Sequence, residues 1–172
     1  VTRWVALLRG VNVGGVTVKS AQLAEVFRGL ELDDVRTVLA SGNVLFSTGE
    51  NDVSALTSRI ESALSDTFGY AARVVLVKQS TLAAVVAAYP FPEVDDTQPY
   101  VVFASDPALL HDLGEGAYSN DDVERVVRGD GVLYWEVRRG MSTDSPFAKR
   151  TTRQKGPAVT TTRNLRTLRK LL

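Results

Sequence analysis

Cysteine is absent from the chain and histidine occurs once. The first absence excludes disulfides, thiolate metal sites and cysteine nucleophiles, and suits the reducing cytoplasm, the localisation expected for this protein. The second leaves no histidine-rich zinc site, and any Ser-His-Asp triad would have to run through His111. That residue lies among Leu109, Leu110 and Leu113 and reads as an ordinary surface position of a short helix. Neither a metal nor a cofactor is expected.

Long apolar runs are missing too. The longest, 82–89, is far short of the roughly 20 residues that a bilayer-spanning helix needs, so no membrane segment is expected. The first residues show neither the apolar core nor the small-residue cleavage pattern of a secretory signal. Charge of one sign does not dominate, since 20 basic and 20 acidic residues cancel. With 44% apolar residues over 172 positions, the chain can bury one sizeable core or two smaller ones.

That cancellation hides an asymmetry. From 137 to 172, ten basic residues stand against one acid, Asp144, for a net charge of +9, and the preceding 136 residues carry −9. Such a split suggests an anionic partner for the basic part, or a basic tail laid against the chain's own acidic surface.

Residues 3–9 predict an apolar strand, and the glycine-containing stretch 12–17 cannot continue it and predicts a loop. Ser20 is placed to cap a helix in which Leu23, Val26, Phe27 and Leu30 form one apolar stripe. The β-branched runs 35–40 and 44–48, separated by Ser41, Gly42 and Asn43, predict a hairpin. Val53, Leu56, Ile60, Leu64 and Phe68 step by three or four and predict a helix that Gly69 stops, after which 73–78 resumes an extended pattern. The order βαββαβ is the split βαβ arrangement of ferredoxin-like domains. There the first and third strands are neighbours, so the turns at 9–15 and 41–43 should converge at one end of the sheet, bordered by Gly69 and Tyr70.

The second half predicts a helix through Leu82, Val85, Val86 and Tyr89, ended by Pro90 and Pro92, and then a linker over 90–98. A strand at 100–104, a short helix opened by Asp106 and Pro107, and a hairpin of 123–128 with 132–138 follow. After a polar segment from 140 to 160, Thr160, Thr161 and Thr162 open a final helix that buries Leu165, Leu168 and Leu172. The fold class expected is α+β, a ferredoxin-like βαββαβ N-terminal half packed with a second βαββα half. The boundaries expected are 1–89 for the ferredoxin-like subdomain with its connecting helix and 90–172 for the second subdomain with its basic C-terminal helix.

Polar chemistry gathers around ALLRGVNVGG at 6–15. Its glycines let backbone N–H groups approach an anion, and the Arg9 guanidinium matches the oxygens of a phosphate or carboxylate. The pattern is neither GxGxxG nor GxxxxGKS/T, so dinucleotide and P-loop readings lack support. A plain chain reversal, with Asn12 bonding its own backbone, fits the same residues. Ser41 and Asn43 would add a hydroxyl and an amide at the same end of the sheet. The segment 160–164, with Arg163 and Asn164, describes either helix caps or an oxyanion pocket.

Three ordered blocks, LLRGVNVGG, RTVLASGNVLF and TTTRNLRTLRKLL, resemble the motif blocks of the bacterial family known as domain of unknown function 1697, over essentially the whole chain. The resemblance implies an α+β protein with ferredoxin-like features and marks Arg9, Asn12, Gly14, Gly15, Ser41, Gly42, Asn43, Arg163 and Asn164 as motif positions. It implies no activity. Family members often carry Met after the basic residue that precedes the first helix, where this chain has Ser20 after Lys19.

Three functional readings follow. The first is a small phosphorylated or carboxylated ligand held by a composite site of Arg9, Asn12, Gly14, Gly15, Ser41, Asn43, Arg163 and Asn164. The second is nucleic-acid binding through the basic C-terminal segment, although Trp4 and Phe46 alone do not make the aromatic signature of RNA-recognition sheets. The third is a protein-interaction module. No carboxylate pair stands out as a catalytic dyad, so any reaction would rest on electrostatic positioning by arginine and backbone donors.

Overall fold

Alternation along the first apolar run explains why it becomes a central strand. In β1 (Thr2–Arg9), Trp4, Ala6 and Leu8 face one side and Val5 and Leu7 the other, and all five are buried. A strand buried on both faces reads as a continuous apolar run and must lie inside a sheet. The computed structural model describes residues 1–9, 17–39, 42–114, 119–120, 122–154 and 156–172. It divides the chain into two units, Val1–Ala83 with Lys170–Leu172, and Ala84–Arg169.

The first unit continues with α1 (Ser20–Gly29), β2 (Asp33–Val38), β3 (Asn43–Thr48), α2 (Val53–Phe68) and β4 (Arg73–Lys78). Its antiparallel sheet has the order β2-β3-β1-β4, so the first and third strands are neighbours as expected. Trp4, Ala6, Leu8, Val44, Phe46 and Val74 form one core with Leu23 and Phe27 of α1 and Leu56, Ile60 and Leu64 of α2. Each fully buried leucine or phenylalanine of this kind stabilises by about 1.5–3 kcal/mol. The α2 helix starts where Asp52 Oδ1 accepts the Ala55 N–H at 3.0 Å and ends at Gly69, whose φ of 69° is left-handed. Ser20 does not cap α1 but is its first residue; Lys19 holds the cap position and makes no side-chain cap bond. The helix is stabilised instead by its buried stripe of Leu23, Ala24 and Phe27.

A further helix, α3 (Gln79–Ala87), runs across the division between the units. The second unit then contains β5 (Thr97–Ala104), α4 (Pro107–Gly114), β6 (Ser119–Asn120), β7 (Glu124–Arg128), β8 (Leu133–Arg138), α5 (Pro146–Arg153), β9 (Thr160–Asn164) and α6 (Leu165–Arg169). Its antiparallel sheet has the order β6-β7-β8-β5-β9. Val102, Val126, Leu133, Trp135 and Val137 pack with Leu109, Leu110 and Leu113 of α4 and Phe147 of α5. The chain is thus an α+β protein.

Several expectations for this half need correction. The polar segment 140–160 contains a helix, α5, capped by Ser145 Oγ accepting the Ala148 N–H at 3.1 Å and carrying Pro146 in its first turn. The segment 160–164 is a strand, not a helix start: it pairs with β5 through Val101↔Arg163 and Phe103↔Thr161, and its β-branched threonines suit that ladder. The two-residue β6 adds an outer strand, so the expected βαββα order is incomplete. Near the C-terminus Leu171 is fully buried and Leu172 is 49% exposed, the reverse of the expected inward position of Leu172.

Candidate functional site

The C-terminal end of β1 delivers Arg9, half-buried, to one end of the first-unit sheet. The neighbouring strands fix what stands beside it. Leu7 is opposite Asn43 of β3, and the Leu8 N–H donates to the Gly42 carbonyl at 2.9 Å. On the other side, Arg9 is directly opposite Arg73 of β4. Residues directly opposite in an antiparallel pair share a face, with Cβ atoms about 5 Å apart. Arg9, Asn43 and Arg73 therefore lie on the same face and at the same end of the sheet, the face opposite Leu8 and its core.

Charge at this end is unbalanced. Two arginines are directly opposite each other in the ladder, and like charges so placed are destabilising unless an anion lies beside them. The Glu61 carboxylate meets one of them: its Oε2 accepts from Arg73 Nε at 3.2 Å and from the Val74 N–H at 2.9 Å, which also closes the outer edge of β4. The Arg9 side chain has no hydrogen-bond or ion-pair partner among the described residues, although its backbone belongs to the β1–β4 ladder.

The amide of Asn43 is fully buried, and its Nδ2 donates to the Val38 carbonyl at 3.1 Å, tying β3 to the end of β2. Gly42 has a φ of 78° and Leu39 one of 59°, so the hairpin is entered and left through left-handed backbone. For a leucine that conformation costs roughly 1–2 kcal/mol. Tyr70 precedes β4, and burial raises its phenol pKa above the ordinary value, so it is neutral.

Arg163 and Asn164 belong to the second unit. The Arg163 side chain is 8% exposed and donates to Thr161 Oγ1 at 2.5 Å and to the Thr162 carbonyl at 3.1 Å. Desolvation lowers its pKa to about 10, which leaves it cationic at neutral pH. Asn164 Oδ1 accepts the Arg166 N–H at 2.9 Å at the start of α6. Of the sequence-derived positions, Arg9 and Asn43 are brought to one end of one sheet, while Asn12, Gly14, Gly15 and Ser41 lie outside the described residues. Arg73 is an addition of the structure and emerges only from the β1–β4 register.

Several basic residues of the C-terminal segment are already engaged within the chain. Arg163 is buried, Arg169 is held by both oxygens of Glu93 at 2.9 and 2.5 Å, and Arg139 Nε donates to the Asp95 carbonyl at 2.8 Å. Lys149, Arg150 and Arg153 of α5 line a surface groove of about 460 Å³ with Asp144 and Pro146. Among the described residues no group of three or more acidic or histidine side chains could hold a metal ion, and no helix is long and apolar enough to cross a membrane.

A family model described as "Protein of unknown function (DUF1697)" matches residues 1–134. The conserved bacterial protein SP0830 from Streptococcus pneumoniae has a similar structure, with a TM-score of 0.79 at 22% identity over 99% of this chain and 96% of that one. An unknown protein from Galdieria sulphuraria aligns with a TM-score of 0.30 at 11% identity, over 95% of this chain and 98% of that one. No curated protein matches the sequence.

Proposed function

The chain belongs to the DUF1697 family, whose description assigns no reaction, and from that premise we propose that it binds a small phosphorylated or carboxylated ligand at the Arg9 end of its first sheet. The observation that carries this reading is the Arg9↔Arg73 pair, two arginines directly opposite each other across one ladder, of which Glu61 meets Arg73. A ligand phosphate or carboxylate would supply the missing negative charge, and arginine's planar fork suits either group. Asn43 fixes the adjoining hairpin, and Asn12, Gly14, Gly15 and Ser41 would contribute backbone and side-chain donors from the neighbouring sequence. The first unit is read as a ferredoxin-like split βαβ domain, which its strand order β2-β3-β1-β4 supports.

The test is a thermal-shift and native mass-spectrometry screen of small phosphorylated and carboxylated compounds. A ligand present at 100 times its Kd should stabilise the chain by about 2.7 kcal/mol. Arg9→Ala should weaken such a ligand at least about 10-fold, the loss expected for charge-assisted hydrogen bonds. A hit that Arg9→Ala retains at full affinity, or a screen with no anionic hit, contradicts the reading. Nucleic-acid binding is favoured by the α5 groove with Lys149, Arg150 and Arg153. It would instead show as salt-dependent retention of RNA or DNA that Arg9→Ala leaves intact.

A further inference from the structure

Alternation along β7 puts a cation where the core pattern calls for an apolar residue. Val126 is opposite Trp135 and Arg128 is opposite Leu133, so Val126 and Arg128 share the face of the sheet that α4 covers. Arg128 is exposed, yet it is held there: its Nη2 donates to the His111 carbonyl at 3.2 Å, and a Cβ added at Gly114 would come within 3.0 Å of its Nε. The guanidinium makes no ion pair among the described residues.

Beside Arg128 the end of the second-unit core stays open. Pro107, Leu110 and His111 of α4 stand across a cleft of about 180 Å³ from Val132, Leu133 and Arg128 of the β7–β8 hairpin, and the turn glycines bring no side chain to fill it. An apolar cavity of about 150 Å³ accommodates one benzene ring, so this cleft takes a single ring or a short branched chain. Its described lining holds no carboxylate, and the one guanidinium at its rim matches a single carboxylate through two parallel hydrogen bonds. A phosphate, with more charge and more oxygens, would leave acceptors against Leu110 and Val132, both buried and apolar. We propose that this cleft binds a small monocarboxylate, with the carboxylate on Arg128 and the apolar body against Pro107, Leu110, Val132 and Leu133. The cleft lies within the second unit and does not depend on the Arg9 reading.

Amide chemical shifts of the ¹⁵N-labelled whole chain, followed during titration with benzoate, benzamide and acetate, test the proposal. Benzoate should shift Leu110, His111, Gly129, Val132 and Leu133, with a Kd of about 1 mM or tighter. Benzamide keeps the ring without the charge and acetate keeps the charge without the ring, and each should bind at least about 10-fold more weakly. Arg128→Gln should weaken benzoate at least about 10-fold and leave benzamide unchanged, whereas Arg9→Ala should change neither. No benzoate shift at these amides, equal affinity for benzoate and benzamide, or full benzoate affinity in Arg128→Gln overturns the proposal; the first two are read on wild type and hold whether or not the variant folds. Benzoate shifts centred on Leu8, Arg9 and Asn43 and lost in Arg9→Ala overturn it as well, while supporting the anion site of the first sheet.

Discussion

Glu124 shows how one buried carboxylate can hold an element that the local sequence scarcely announces. It is 3% exposed, and its two oxygens accept from Trp135 Nε1 at 2.9 Å and from the Phe147 N–H at 3.0 Å. The second bond ties the first turn of α5 to β7. Glu124→Ala would leave both donors buried without an acceptor, and the loss should be roughly 3 kcal/mol. Glu124→Gln keeps one acceptor oxygen and should lose clearly less. Urea unfolding followed by tryptophan fluorescence measures both, and equal losses would show that the hydrogen bond glutamine retains contributes nothing. Arg9 is the converse case, a cation with no counter-charge among the described residues, opposite a second arginine. Its convergence with Asn43 was legible in the sequence, because the βαββ order alone makes the first and third strands neighbours. Arg73 was not legible, since only the register of β4 against β1 places it.

The helix α2 is readable because every local signal agrees: a 3–4 spaced apolar stripe, Asp52 at its start and Gly69 at its stop. A Cβ added at Gly69 meets nothing within 4 Å, so Gly69→Ala should cost only the left-handed backbone strain, roughly 1–2 kcal/mol. Asp52→Ala should cost about 1 kcal/mol through the lost cap bond. Thermal denaturation of the two single variants and of the double variant checks these values, and their sum should hold because the sites lie at opposite ends of the helix. By contrast, α5 buries only Phe147 and Ala148, and its anchor, Glu124, is distant in the chain. The β9 strand was misread for a different reason. Threonine both caps helices and favours strands, and only pairing with β5 decides between these roles.

The whole chain distributes its charge so that part of the basic C-terminal segment is met by its own acids. Glu93 is one such acid: the hydrogen bond from Arg169 holds its carboxyl below the ordinary value. A depressed carboxyl contributes stability above its unfolded pKa and loses it as pH falls through the folded value. Glu93→Gln should therefore reduce stability at neutral pH by at most about 1 kcal/mol, since both partners are partly exposed, and the difference from wild type should vanish in acid. Lys170–Leu172 belong to the first unit, where the Lys170 carbonyl accepts from Arg36, the Leu171 carbonyl accepts from Gln79, and Leu171 is fully buried. Deleting these three residues should destabilise the chain by about 2–4 kcal/mol, mostly through lost leucine burial. The anion site at the first sheet is tested most directly by amide chemical-shift mapping of the ¹⁵N-labelled chain during titration with phenyl phosphate. The largest shifts should fall on Leu8, Arg9, Gly42, Asn43, Arg73 and Val74 and vanish in Arg9→Ala. Shifts confined to Lys149, Arg150 and Arg153 of α5, or no shifts at all, would contradict it.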